Sequence, residues 1–140
     1  MIASLQPSGK SVWMLSGDNE TTAQAVGHEL GIDVSNVKGS VLPEEKSAFI
    51  QEWKGRVVVK PRRWRRKGEG KAVVVLAGDG LNNSAAVVAA DVGVAFSHGS
   101  QVTLSSALFV LLQKKAPLDG IGELFKLSKK VYRRQKVSQR

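Results

Sequence analysis

The chain has 140 residues, of which 42% are hydrophobic, so it is long enough to bury the core of one domain. It has no cysteine and only two histidines, which excludes disulfides, thiolate metal sites and a zinc cluster, and agrees with a reducing compartment. Its longest apolar runs fall far short of the ~18–20 residues that span a bilayer, and its first ten residues lack the apolar stretch of a signal peptide, so we expect a soluble or peripheral chain.

The first half of the chain alternates predicted strands with predicted helices. In chain order these are a buried strand at residues 11–16, a helix at 20–30, a weak strand near 34–41 and a helix from 43 to about 53. Gly31 suits the C-terminal end of the first helix. Pro43 suits the first turn of the second helix, and Glu44 and Glu45 favour its positive N-terminal end.

The net charge of +9 is concentrated in two segments. Residues 54–71 hold nine Lys and Arg against one acid and predict a long mobile loop after a possible short strand at 57–59. Residues 126–140 hold seven Lys and Arg and no acid. Such segments bind nucleic acid or anionic lipid head groups, or are simply a solvated loop and a solvated helix end.

The remaining elements complete an alternating pattern. They are strands at residues 72–77, 92–96 and 107–112, a short helix at 82–90 and an amphipathic helix from 118 to about 135, whose apolar residues Leu118, Ile121, Leu124, Phe125, Val131 and Tyr132 lie largely on one face. Continuous apolar strands alternating with helices predict a doubly wound parallel α/β sheet covered on both faces. Ligands bind such sheets at the carboxyl ends of the strands.

Two glycine-acid turns are predicted at such strand ends. In Gly78-Asp79-Gly80 the glycines allow a close backbone approach, the Asp79 carboxylate suits Mg²⁺, and Asn82 is placed to contact a phosphate oxygen. On that stretch alone, a turn that caps a helix remains the simpler interpretation. In Ser16-Gly17-Asp18, Ser16 can offer a hydroxyl to a phosphate, whereas Asp18 by itself is best interpreted as a helix cap.

Lys46, early in the helix that begins at Pro43, suits a phosphate or an acidic partner, or is only solvated. The combination of motifs is more specific than any one of them. "VWMLSGDNETTAQAVGHELGI", "VLPEEKSAFIQ" and "VVVLAGDGLNNSAAVVAADVGVAF" occur in this order and together resemble the P-type ATPases, in particular the heavy-metal, copper-type branch and its fungal members.

This resemblance implies a Rossmann-like, haloacid dehalogenase-like phosphorylation domain. Its expected extent is residues 1–136, with an inserted basic loop at about 54–71 and a truncated tail at 137–140. In the parent family ATP phosphorylates an aspartate in an Asp-Lys-Thr-Gly-Thr motif, and the aspartyl phosphate drives cation transport through the membrane. The implied cofactors are Mg²⁺ and ATP, and the implied partners are a heavy-metal cation, with copper expected, and anionic lipid near residues 126–140.

The resemblance also assigns site residues by position. The Ser16 hydroxyl, with Gly17 and Asp18, would meet the phosphoryl group, and Lys46 would neutralise its charge. Asp79 would bind Mg²⁺ between Gly78 and Gly80. Asn82 would contact phosphate, and Asn83 stands where the family has a second acid.

The sequence departs from the family in two ways that bear on activity. It contains no Asp-Lys-Thr-Gly-Thr, so the nucleophile and its central strand are missing, and two neighbouring strands are expected to lack a partner. Asn83 supplies no negative charge beside the cation, which weakens the site. We therefore expect a fragment, inactive alone, at the cytosolic face of a membrane in the parent family and cytoplasmic or peripheral as this chain.

Two alternatives remain open from the residues alone. The first is a free-standing phosphatase with a different nucleophile. The second is a nucleic-acid-binding module built on the "RRWRR" run at residues 62–66, where arginines suit phosphate contacts and a tryptophan suits base stacking.

Overall fold

The computed structural model describes residues 2–58, 70–78, 84–96, 105, 107–112 and 117–138. They form two compact units, one made of Met1–Ser40 with Leu111–Arg140 and the other of Val41–Val110. We call these the first unit and the second unit and describe each by itself. The predicted boundaries of a single partial domain at residues 1–136 stay a prediction.

The first unit begins with α1 (Ile2–Leu5) and a 3-10 turn and continues through β1 (Met14–Leu15), α2 (Glu20–Glu29), a second 3-10 turn (Val34–Asn36) and β2 (Val37–Lys38). Its last helix is α5 (Pro117–Ser138). β1 and β2 pair in parallel, with Met14 opposite Val37. Ala23, Ile32 and Val37 are buried together, and Ile2, Val12 and Met14 pack on them.

The second unit holds α3 (Pro43–Gly55), β3 (Val57–Val58), β4 (Gly70–Lys71), β5 (Val75–Gly78), α4 (Ser84–Ala89) and β6 (Val92–Phe96), followed by β7 (Phe109–Leu111), which ends at the unit boundary. β5 and β6 are parallel neighbours in a sheet of order β5-β6-β7. Its core joins α3 to α4 through Ile50, Ala86 and Ala90, with Trp53, Val74, Leu76 and Ala89 around them.

The predicted α/β class with parallel pairing is confirmed, and β6 has the predicted bounds. Gly31 follows α2 with φ +72°, a left-handed conformation that glycine adopts without strain. In the described part of the chain β1 pairs with β2 and β5 pairs with β6, both in parallel, and β5 lies at the edge of its three-stranded sheet. The expectation that two strands lack a partner because a central strand is missing stays a prediction.

Several local predictions need correction. The segment near residues 34–41 begins as a 3-10 turn because the Asp33 carboxylate accepts the Ser35 amide at 2.9 Å, and only Val37–Lys38 extend as a strand. The basic segment is flanked by an antiparallel pair, β3 with β4, which the parallel pattern did not predict. β7 is an edge strand and exposes Phe109 and Val110, whereas a strand covered on both faces was predicted. Residues 59–69, with the rest of the predicted loop, lie outside the described part of the chain.

An ion pair between Asp91 and Lys54, next to the start of β5, stabilises the second unit. The Asp91 carboxylate accepts the Val74 amide at 2.8 Å and pairs with Lys54 at 3.3 Å. The Lys54 ammonium also donates to the Ala89 carbonyl at 3.0 Å, so α3, the end of α4 and the approach to β5 meet at one point. The hydrogen bond from Val74 and the Lys54 charge lower the pKa of Asp91 from its usual value, although partial burial opposes the shift.

We expect the second unit to lose stability in acid because the interactions of the Asp91 carboxylate are weakened there. A lowered folded-state pKa means that the contribution is present above the unfolded-state pKa, near 3.8, and is lost as the pH falls through the folded-state value. Asp91→Asn keeps an oxygen for Val74 but loses the charge, so it is expected to cost about 1 kcal/mol at pH 7 and much less at pH 2. Urea unfolding measures this difference, and hydrogen exchange in β6 reports on the second unit.

Glu52→Gln is the matched control, because Glu52 forms an exposed pair with Arg56 at the C-terminal end of α3. It should change stability by less than about 0.5 kcal/mol. An Asp91→Asn cost that is the same at pH 7 and pH 2 would show that its charge contributes nothing.

Candidate phosphate-binding turn and magnesium corner

The turn after β1 brings Ser16, Gly17 and Asp18 together at the carboxyl end of the strand. The Ser16 amide donates to the Lys38 carbonyl at 2.9 Å, which extends the pairing of β1 with β2 by one residue. The Ser16 hydroxyl donates to the Asp18 carboxylate at 2.9 Å and accepts the Asp18 amide at 3.1 Å. The turn is therefore held by its own side chains, while Gly17 and Asp18 stay exposed.

The helix cap predicted for Asp18 is wrong. The side chain of Asn19 caps α2 by accepting the Thr22 amide at 2.9 Å. The helix begins at Glu20, so Asn19 is the residue with extended backbone immediately before it, which is the geometry that a cap requires. The Asp18 carboxylate instead orients the Ser16 hydroxyl.

A second segment, Gly39-Ser40, supports the turn from the end of β2. The Gly39 amide donates to the Glu20 carboxylate at 2.8 Å, and the Ser40 amide donates to the Asp18 carbonyl. A Cβ on Gly39 would lie 2.5 Å from the Glu20 Cα, so the two backbones approach too closely for any side chain. Ser40 has φ +52°, in the left-handed region.

Sequence reasoning missed Gly39, Ser40 and Glu20 as parts of this site. A glycine and a serine directly after an apolar strand are the available signal, because that order marks a close backbone approach followed by a turn. The strand at residues 37–38 is only two residues long, which left the signal without a clear strand before it.

In the second unit, Lys46 lies in the first turn of α3 and its side chain is half-buried. Pro43 starts the helix as predicted, and the Glu45 carboxylate accepts the Leu42 amide at 2.8 Å. The Lys46 amide donates to the Leu42 carbonyl at 3.1 Å, so it is the first to enter the helical hydrogen-bond pattern. This position suits a lysine whose ammonium lies near the N-terminal end of α3.

Gly78 is the last residue of β5 and is buried, with its Cα opposite Ala95 of β6. The glycine-acid segment therefore begins at the carboxyl end of a parallel strand, as predicted. Asp79, Gly80, Asn82 and Asn83 lie outside the described residues, and the helix expected from residue 82 is described from Ser84.

The donor chemistry of this segment fits a magnesium ion. Mg²⁺ needs oxygen ligands and is usually held by one or two carboxylates together with phosphate oxygens. The chain supplies the Asp79 carboxylate directly after Gly78, and an amide at Asn83. Within the described ranges, no three His, Cys, Asp or Glu side chains group as a metal site. The oxygen donors at residues 79 and 83 are of the type that Mg²⁺ prefers.

The turn at Ser16-Gly17-Asp18 is equipped to bind a phosphoryl group. The Ser16 hydroxyl can turn from Asp18 to a phosphoryl oxygen, and the amides at the start of α2 provide further donors. Both strand ends belong to parallel sheets, where ligands bind at the carboxyl edge. None of the described helices is long and apolar enough to cross a bilayer.

Comparison with known proteins agrees with this geometry. The family model of haloacid dehalogenase-like hydrolases matches residues 1–91. A copper-transporting P-type ATPase of Rhizobium leguminosarum bv. viciae is 40% identical over 132 residues, which cover 94% of this chain and 14% of that protein. The copper-transporting ATPase ccc2 of Schizosaccharomyces pombe is 34% identical over 137 residues, which cover 98% and 14%.

A solved structure shows the same relationship. A zinc-transporting PIB-type ATPase in its E2.Pi state superposes with a TM-score of 0.59 at 29% identity, over 76% of this chain and 15% of that one. The chain thus spans about one seventh of the length of the curated relatives described above.

Proposed function

The chain belongs to the haloacid dehalogenase-like hydrolase family, and from that premise we propose that it is the phosphate- and magnesium-binding part of a copper-transporting P-type ATPase. Its sequence corresponds to a fragment of the phosphorylation domain of heavy-metal P-type ATPases. The observation that carries the proposal is the turn at Ser16-Gly17-Asp18, which closes the carboxyl end of β1 and is held by Gly39-Ser40.

Each site residue has a proposed role. The Ser16 hydroxyl donates to a phosphoryl oxygen, and Asp18 orients that hydroxyl until the phosphoryl group binds. The Lys46 ammonium offsets the phosphoryl charge, and Asn82 donates an amide hydrogen to it. Asp79 holds Mg²⁺ between Gly78 and Gly80, and the ion would supply positive charge against the phosphoryl oxygens.

The chain by itself is proposed to be inactive. An aspartyl phosphate needs a carboxylate nucleophile, and the family motif that carries one does not occur in these 140 residues. Asn83 replaces an acid with a neutral amide, which removes one negative charge from beside the cation. ATP, a transported copper ion and a cytosolic membrane face belong to the proposed whole transporter, which this sequence matches over a small part.

Two finer assignments are part of the same proposal. Anionic lipid is the proposed contact of residues 126–140, because that segment carries seven basic residues and no acid. A fungal source stays a prediction, since one relative described above is bacterial and the other is from fission yeast.

Titration of the ¹⁵N-labelled chain with Mg²⁺ and inorganic phosphate tests the proposal. We expect Mg²⁺-dependent shifts at the amides of residues 16–19 and 78–84, and their loss in Asp79→Asn. Asn83→Asp restores the acid and should tighten Mg²⁺ binding at least about tenfold. The same protein incubated with radiolabelled ATP and Mg²⁺ should take up no acid-stable, hydroxylamine-sensitive label.

Asp33→Asn is the matched control, because Asp33 is an exposed carboxylate bound to Ser35. It should leave the Mg²⁺ response unchanged. Mg²⁺-dependent shifts that persist in Asp79→Asn would contradict the magnesium assignment. Mg²⁺ binding by Asn83→Asp that is no tighter than binding by the unmodified chain would also contradict it. Labelling of the chain by ATP would contradict the proposed inactivity.

A further inference from the structure

The Glu20 side chain, at the first residue of α2, makes two hydrogen bonds, one with each carboxylate oxygen. One oxygen accepts the Gly39 amide at 2.8 Å, and the other accepts the side-chain amide of Gln24 at 3.0 Å. The bond to Gly39 links α2, which follows the turn at Ser16-Gly17-Asp18, to the end of β2, which pairs with the strand before that turn. We call this turn the phosphate turn.

An acid in the first turn of a helix has a simpler role as well. Its charge favours the positive N-terminal end of the helix, and a hydrogen bond to the residue four positions later adds a little stability. Both effects are local to α2 and would be the same without β2. Neither explains the contact of Glu20 with Gly39, which crosses 19 residues of sequence. The carboxylate therefore has a second role that depends on the tertiary structure.

The contact with Gly39 supports an unusual backbone conformation at the next residue. Ser40 has φ +52°, in the left-handed region that residues with a side chain seldom occupy unless their surroundings hold them there. The Ser40 amide donates to the Asp18 carbonyl. Two consecutive amides thus bind on either side of Asn19, one to the Asp18 carbonyl and the other to the Glu20 carboxylate. Together they hold the backbone of the phosphate turn against the end of β2.

The Asp18 carbonyl belongs to the residue that orients the Ser16 hydroxyl. The Asp18 carboxylate accepts that hydroxyl at 2.9 Å, and the Asp18 amide donates to its oxygen at 3.1 Å. A displacement of the Asp18 backbone therefore moves both groups, and with them the hydroxyl that is proposed to meet a phosphoryl oxygen. Glu20 acts on this hydroxyl from a distance, through the Gly39-Ser40 segment.

We propose that Glu20 is a positioning residue of the phosphate turn, whose carboxylate holds the Gly39-Ser40 segment and thereby fixes the direction of the Ser16 hydroxyl. The role rests on the proposed function, in which the turn binds a phosphoryl group. The charge of Glu20 alone works in the opposite direction, since a carboxylate repels phosphate and its removal should tighten binding. Positioning and charge can therefore be separated by substitutions that keep one and lose the other.

Glu20→Gln and Glu20→Ala both remove the charge, but only glutamine keeps an oxygen that can accept the Gly39 amide. In the Mg²⁺ and phosphate titration of the ¹⁵N-labelled chain, Glu20→Gln should bind phosphate as tightly as the unmodified chain or more tightly. Glu20→Ala should bind phosphate at least about fivefold more weakly than Glu20→Gln, as expected for the loss of one hydrogen bond. Equal phosphate affinity of the two variants would overturn the proposal, because charge alone would then explain the effect.

Glu20→Asp keeps the charge and the acid in the first turn of α2, so the helix should form normally. Its side chain is shorter by about 1.5 Å, so the carboxylate falls short of the Gly39 amide. We expect it to bind phosphate at least about fivefold more weakly than the unmodified chain. Full phosphate affinity in Glu20→Asp would overturn the proposal.

Amide exchange in the free chain tests the same role without phosphate. In Glu20→Ala and Glu20→Asp, exchange at the Ser40 and Asp18 amides should be about tenfold faster than in the unmodified chain, and in Glu20→Gln it should change much less. The Leu30 amide, at the other end of α2, is the internal reference and should exchange at its usual rate. Unchanged exchange at Ser40, or an equal increase at Leu30, would overturn a local positioning role.

Glu29→Ala and Glu29→Gln are the matched controls, because Glu29 is the exposed last residue of the same helix. The two control variants should not differ in phosphate affinity or in exchange at Ser40. A difference as large as that between the two Glu20 variants would overturn the proposal. A missing phosphate response in the unmodified chain would contradict the proposed function, whereas the exchange rates would still decide whether Glu20 holds the turn.

Discussion

Gly39→Ala is expected to lower the free energy of unfolding of the first unit by about 1–3 kcal/mol, the usual cost of forcing an atom into a packed site. The new Cβ would lie 2.5 Å from the Glu20 Cα and 2.8 Å from the Glu20 amide nitrogen. Neither is the movable end of a side chain, so β2 and the start of α2 must separate. Urea unfolding measures the loss of stability, and amide exchange around Val37 reports on the first unit.

The same substitution should also disturb the phosphate turn. Separation breaks the hydrogen bond from Gly39 to Glu20 and displaces the neighbouring Ser40 amide, which holds the Asp18 carbonyl. We therefore expect weaker Mg²⁺-dependent phosphate shifts at Ser16 and Gly17 in the ¹⁵N titration. A variant with normal stability and normal phosphate response would show that the close approach is unnecessary.

Gly55→Ala is the matched control for Gly39→Ala. Gly55 is the last residue of α3, and a Cβ there meets nothing within 4 Å. Alanine has the higher helix propensity and restricts the unfolded chain more than glycine does, so the expected change is neutral to about 1 kcal/mol stabilising. A loss equal to that of Gly39→Ala would assign the effect to glycine replacement in general.

Ile50→Ala is expected to be the most destabilising single change in the second unit, at about 2–5 kcal/mol. Ile50 has no exposed surface and packs with Ala86 of α4 and with Ala90, which directly follows that helix. Those partners are already small, so the neighbouring side chains cannot easily fill the cavity that three missing carbons leave. The measurement is urea unfolding, with amide exchange in β6 reporting on this unit.

Val88→Ala is the control, since Val88 lies in α4 with 67% of its surface exposed, directly after the buried Val87. It is expected to change stability by less than about 0.5 kcal/mol. An Ile50→Ala cost below about 1 kcal/mol would show that α3 and α4 are not held together through this residue.

Local patterns in the chain predicted much of the fold. Uninterrupted apolar runs located β1, β5 and β6, and the residues Gly31 and Pro43 marked where α2 ends and α3 begins. These features act over a few residues, through burial and backbone preference, so they can be derived without knowing the partners. The order of three motifs along the chain predicted a haloacid dehalogenase-like domain of the P-type ATPases. The match over residues 1–91 confirms the haloacid dehalogenase-like family, and the copper-transporting relatives match the same fragment.

Other features depend on which segments meet, and the pattern could not supply them. The β3–β4 pair depends on two segments separated by the basic run, and neither is apolar enough to be identified alone. The exposure of Val131 and Tyr132 could not be derived from the period of α5, because that period is the same whether or not something covers the face.

By itself, then, the sequence determined the α/β class, the family and the residue types at Ser16, Asp18, Lys46 and Asp79, because each depends on local composition and order. The structure decided between two adjacent candidates for the cap of α2, because both are suitable residue types: Asn19 caps the helix, and Asp18 holds the Ser16 hydroxyl. It also decided that Gly39 must lack a side chain, since 19 residues separate it from Glu20, and folding alone brings their backbones into contact.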